Sequence, residues 1–260
     1  VPAGARAWLL AASAAAALPA TAGGDAATAR HALTAALETS DVRIGARDAT
    51  WRAQWLQWDL RGAHGGLFAV VERRTREQAH GELATAGGHW LGERWILSGQ
   101  LESGSGAAFV PRRAGEAHAG YRLGPAHTVR LGYRHADYPG SALRLWSFSS
   151  LHYRGDDEWE IGYRHGSTST AGRERIAFGL VRGQWACGAR WSCGLRLAGG
   201  ENVFGADEPG FDTGTGWQAG GFLAYRLAGG HSLRLDLGTG RGTRFRQDSL
   251  TLSYRHAFAR

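Results

Sequence analysis

The fourteen residues Gln247 to Arg260, QDSLTLSYRHAFAR, decide the fold. Leu250, Leu252, Tyr254, His256 and Phe258 share one parity, while Ser249, Thr251, Ser253, Arg255 and Ala257 share the other. A strand sends successive side chains to opposite faces, so this segment has one apolar, aromatic-ended face and one small or polar face. In a water-soluble sheet the apolar face would enter a core. In a transmembrane barrel it meets lipid, and the polar face lines the interior.

Working back from the C-terminus, the same alternation recurs. Leu233, Leu235 and Leu237 oppose Arg234 and Asp236; Leu223 and Tyr225 oppose Gln218 and Arg226; Leu195 and Leu197 oppose Arg196. Trp159, Ile161 and Tyr163 oppose Glu160 and Arg164, and Val129, Leu131 and Tyr133 oppose Arg130 and Arg134. In 143–154 the pattern sets Leu143, Leu145, Leu151 and Tyr153 outward against Arg144, Trp146, Phe148 and His152. Trp95, Leu97 and Leu101 oppose Ser98, Gln100 and Glu102. Less regular segments fill the region from Asp41 to Trp90, giving about 14 strands, or about 12 if two early ones merge. The predicted fold class is all-β: a single antiparallel up-and-down transmembrane β-barrel.

Two further patterns agree. With a periplasmic N-terminus the even-numbered connections (RGAHGG, LGER, GPAH, RGDDE, CGARWSC, AGGH) read as short turns. The odd ones, including 104–116, 137–142, 166–174 and 201–216, read as longer external loops, as barrels require. Tyr121, Tyr153, Tyr225, Tyr254, Phe258, Trp90 and Trp185 fall near the periplasmic ends, and Tyr133 and Tyr163 near the other, as two headgroup-level girdles would.

The bulk composition fits. Glycine is abundant at 40 residues and proline scarce at 6, which suits many strands joined by tight turns. The net charge of +7 comes from arginine, with no lysine anywhere, and the arginines are spread singly through the strands. A nucleic-acid surface would gather them in a patch, so no nucleic-acid partner is expected. Arg6, the apolar run from Trp8 to Leu18 and Ala20-Thr21-Ala22 together read as an export signal cleaved after Ala22. The expected organisation is therefore signal peptide 1–22, an alanine-rich periplasmic lead-in 23–37 with helical character, and a barrel over 38–260. The expected location is the outer membrane of a Gram-negative envelope.

From about Trp51 onward the chain resembles the YaiO family of outer-membrane β-barrel proteins. The resemblance rests on Gly120-Tyr121-Arg122, Gly132-Tyr133-Arg134 and Gly162-Tyr163-Arg164, on YRHADY at 133–138 followed by Leu145-Trp146, on LRLAGGEN at 195–202, on LGTGR at 237–241 and on the YRHAF ending. It implies an exported outer-membrane barrel and a link to surface polysaccharide.

Several groups could carry chemistry. Cys187 and Cys193 flank a predicted periplasmic turn, and an even cysteine count in an exported chain predicts a disulfide between them. His135, Asp137 and Ser141 form a Ser/His/Asp set, but all three lie in one hairpin, where a polar rim is the plainer explanation. Asp207, Glu208 and Asp212, beside Glu201 and Asn202, could present oxygens to calcium, yet their spacing matches no EF-hand, and a solvated loop is the simpler reading. Gly238 to Gly242 lacks the strand-to-helix context of a phosphate loop. No metal and no cofactor are expected.

Arg130, Arg134, Arg144, Glu160, Arg164, Arg196, Arg226, Arg234, Asp236 and Arg255 are predicted to line the lumen, because charge facing lipid near the midplane costs roughly 2–4 kcal/mol. These groups could bias a pore towards anions or pair and plug it. The expected function is non-enzymatic: a narrow pore or scaffold serving an anionic solute or polysaccharide. Expected partners are outer-membrane lipid, lipopolysaccharide, and the barrel-assembly machinery acting on the C-terminal strand. The alternatives are a lipid- or lipopolysaccharide-modifying enzyme built on His135, Asp137 and Ser141, and a soluble periplasmic all-β binding module.

Overall fold

In the computed structural model, residues 30–169, 173–204 and 214–258 are described. The expected signal peptide, and residues 23–29 of the expected lead-in, lie outside them. Fourteen strands follow in order: β1 (Arg30–Ile44), β2 (Arg47–Gly62), β3 (Gly65–Arg76), β4 (Ala79–Leu91), β5 (Trp95–Gly106), β6 (Arg113–Arg122) and β7 (His127–Tyr138), then β8 (Ser141–Arg154), β9 (Asp157–Ser169), β10 (Arg173–Ala186), β11 (Trp191–Glu201), β12 (Thr215–Arg226), β13 (His231–Arg241) and β14 (Phe245–Phe258). Each pairs antiparallel with its sequence neighbours, and β1 pairs with β14 to close the barrel. No helix among the described residues is long and apolar enough to cross a membrane.

The barrel wears its apolar side chains outside. Leu101 is 72% exposed and Ile161 66%, with Leu37, Leu131, Leu195, Leu237 and Leu252 in the same belt. Glutamates and glutamines such as Glu38, Glu72, Gln100, Glu160 and Gln247 are buried on the inner face. A soluble barrel would reverse that arrangement, so the strands cross a bilayer, as in outer-membrane barrels. At the rim carrying both strand termini, Trp95 stacks edge-on against Tyr121 (4.9 Å), Trp159 lies parallel to Trp185 (5.6 Å) and Trp191 meets Tyr225 (4.5 Å). At the other rim Tyr133 meets Trp146 (4.7 Å).

Three expectations are corrected here. First, the strands begin at Arg30, so 30–37 is barrel rather than lead-in. Its alanines suggest a helix, but Leu33 and Leu37 face out while Ala32 and Ala36 are buried inside. This segment also pairs with both β2 and β14. Without it the closure would leave open backbone edges that lipid cannot satisfy. Second, β8 is inverted. Trp146 and Phe148 are exposed, whereas Leu143, Leu145 and Leu151 are buried in the lumen. Arg144 therefore faces outward beside Trp146, and Tyr153, opposite lumenal Glu158, faces inward and leaves the girdle. Both parities of β8 are apolar, and the large aromatic rings took the lipid side. Third, most outer hairpins are tight: β3 ends at Arg76 and β4 starts at Ala79, and β7 ends at Tyr138 and β8 starts at Ser141. The strands themselves, up to 16 residues in β2, extend past the roughly 9–11 needed to span. Between the described strands, the longer connections at that rim are 107–112 and 202–214.

Candidate functional site: the lumen

Nine of the ten expected lumenal charges, all but Arg144, lie on the inward parity of their strands. They occur with partners that the leucine pattern did not bring forward. Arg134 on β7 reaches back two strands to Glu102 on β5 with two parallel bonds (Nη1–Oε1 2.6 Å, Nη2–Oε2 3.0 Å) and to Glu116 on β6 (3.3 Å). Glu116 also takes His118 Nε2 at 2.7 Å. Arg130 and Arg182 converge on Glu160, with Arg182 3.2 Å from Glu158. Arg74 pairs with Glu72 (2.9 Å), and Arg234 with Asp236 (2.6 Å). On the seam between β1 and β14, Gln247 donates to Ser40 (3.0 Å) and Thr251 to Glu38 (3.2 Å). Glu38, Glu72, Arg74, Glu102, Glu116, Glu158 and Arg182 all follow from extending each strand's inward parity, which is the signal that could have found them.

Around this network the lumen is graded. Towards the rim of the strand termini, Arg61, Arg122, Arg226 and Arg255 take inward positions near their strand ends, forming a basic mouth. In the middle is a cavity of about 60 Å³ lined by Gln100, Glu116, His118, Ser147, Ser149 and Arg164. That is room for a few waters or a small anion. Within it, Arg164 Nε and His118 Nδ1 are buried without a hydrogen-bond partner among the described residues. At the opposite rim the lumen turns apolar. Val42 and Trp51 from β1 and β2, Tyr138, Leu143 and Leu145 from β7 and β8, Ile176 and Phe178 from β10, and Phe245 from β14 form one buried cluster. β1 and β8 lie on opposite walls of the barrel, so the cluster fills it from side to side. Val203 and Phe204, after β11, fold into it, and Phe109 and Val110, after β5, form a second cluster with Leu83. Arg76 sits between the Trp51 and Phe109 rings, 4.3 Å from each centroid.

The remaining candidates separate. His135 Nε2 lies 3.1 Å from Asp137 Oδ1, but both residues are on the outward parity. Ser141 pairs with Tyr138 on the inward parity, so the sheet divides the three residues and no triad is assembled. Cys187 and Cys193 are bonded across the turn between β10 and β11 (S–S 1.99 Å). Asp207, Glu208 and Asp212 lie outside the described residues; Glu201 reaches Arg175 at 3.8 Å and Asn202 is buried. No cluster of three metal-ligating side chains occurs among the described residues.

No family model matches the chain, and no curated protein matches it in sequence. Solved structures match its fold. The CymD monoaromatic hydrocarbon channel superposes with a TM-score of 0.58 at 10% identity, over 91% of this chain and 90% of that one. The Ralstonia pickettii toluene transporter TbuX gives 0.56 at 7%, over 91% and 90%. The Acinetobacter baumannii outer membrane protein Omp33 gives 0.53 at 11%, over 87% and 98%. The chain has the fold of outer-membrane β-barrels.

Proposed function

We propose that this outer-membrane barrel is a non-enzymatic narrow pore for small anionic solutes, or for segments of an anionic glycan, held closed by an apolar plug. The observation that carries this reading is the graded lumen: a basic mouth, then a charged middle with Arg164 facing a small cavity lined by polar groups together with Phe68 and Leu180, then a side-chain plug. Two plug contributors, Phe109 with Val110 and Val203 with Phe204, come from connections rather than strands, and such segments move more readily than a paired wall. The segments similar to YaiO-family barrels support a polysaccharide as the larger partner.

A scaffold is the second reading, and the wall-to-wall contact of the plug favours it. A lipid-modifying enzyme has less support, since Ser141 stands across the sheet from His135 and Asp137. Planar-bilayer recordings of wild type and of Phe109→Ala/Phe204→Ala separate the first two. A pore gives rare, anion-favouring openings in wild type and frequent ones in the variant. Baseline current from both, in every salt, removes the pore and leaves the scaffold.

A further inference from the structure

The outer face carries a second feature, independent of what passes through the lumen. Arg52 and Arg73 stand on the outward parity of β2 and β3, both exposed. Arg52 is opposite Thr75 and Arg73 opposite Gln54, so the two are diagonal neighbours roughly 7–8 Å apart in backbone position. Leu250 shares a cross-strand row with Arg52, and Leu37 and Leu252 share one with Arg73; the leucines are 43%, 63% and 53% exposed, and the five side chains line one groove. Three other arginines at this rim are paired: Arg43 to Asp48 (2.6 Å), Arg47 to Glu77 (2.7 Å) and Arg246 to Asp248 (3.1 Å). Arg52 and Arg73 form no ion pair among the described residues, although Glu82 on β4 stands directly opposite Arg73.

Two long guanidinium arms at the edge of a leucine belt are complementary to a phosphate whose ester-linked acyl chains lie on those leucines. We infer that this groove binds the phosphorylated, multiply acylated lipid of the leaflet at the rim opposite the two strand termini, the lipid A portion of lipopolysaccharide. The arginines hold the phosphate and the leucines hold the chains.

The test uses the full-length barrel in neutral detergent, with native mass spectrometry of bound lipid A in its bis-phosphorylated and dephosphorylated forms. Heat-modifiable gel migration checks that each variant is folded. Wild type is expected to retain the phosphorylated lipid in preference, with affinity falling about tenfold for each of Arg52→Ala and Arg73→Ala. Glu82→Gln, which removes the facing carboxylate, is expected to raise it. Equal retention by wild type and the double variant would overturn the inference. So would indifference to dephosphorylation, or full displacement by inorganic phosphate, which would indicate a free-anion site.

Discussion

Replacing Arg134 with methionine tests whether the lumen is a closed, charge-paired interior or a wet channel. Methionine keeps most of the aliphatic stem, so packing changes little while the guanidinium is lost. Arg134 is 19% exposed as a side chain, and Glu102, which it holds with two bonds, only 6%. Removing one partner of a pair buried to that depth costs about 3–5 kcal/mol, because the remaining carboxylate is left uncompensated. Glu116 keeps His118 and so contributes less. The triple variant Arg134→Met/Glu102→Gln/Glu116→Gln removes the charges together and should return to within about 1 kcal/mol of wild type, since replacing a whole buried set is often nearly neutral. The assay is reversible denaturant unfolding in detergent or lipid, followed by fluorescence of the barrel's tryptophans. A single variant within about 0.5 kcal/mol of wild type would refute the reasoning, because it would mean that bulk water already solvates Glu102.

Other expectations can be checked with the same protein. Gly132→Ala would place a methyl 2.1 Å from His118 Nδ1 and 2.4 Å from Ser147 Oγ, so it should destabilise by about 1–3 kcal/mol on the same unfolding curves and shrink the cavity. Cys187→Ser/Cys193→Ser opens a short loop and should cost about 2 kcal/mol in the chain-entropy picture, with reduction of wild type reproducing the loss. Leu235→Arg, on the lipid face, should cost about 2–4 kcal/mol in bilayers, whereas Ser249→Arg, facing the lumen, should cost less.

Strand number, closure and the outward belt were legible because a period of two is written into most strands, as at Leu233, Leu235 and Leu237. Where that period carried no contrast, reading failed. In β8 leucines occupy one parity and Trp146 with Phe148 the other, so hydrophobicity alone could not orient the strand. In β1 the run from His31 to Ala36 is alanine-rich, and its strand character comes from pairing on both edges, with β2 and with β14, the latter more than 200 residues away. The cysteine pair was readable because its partners are six residues apart. The plug was not readable, since Val110 and Phe204 sit in connections that fold onto strands they do not join, β4 through Leu83 and β14 through Phe245. Arg134 was readable as lumenal, but its choice of Glu102 two strands away depends on barrel register.

The most direct measurement is a single-cysteine spin-label scan over 233–237 and 249–252, in the Cys187→Ser/Cys193→Ser background and in liposomes. Oxygen should relax labels at Leu233, Leu235, Leu237, Leu250 and Leu252, while a water-soluble nickel complex should favour Arg234, Asp236 and Thr251. The opposite phase, with labels at the leucines silent to oxygen and the arginine position open to bulk lipid or solvent on the outside, would contradict the membrane-spanning barrel with an enclosed charged lumen.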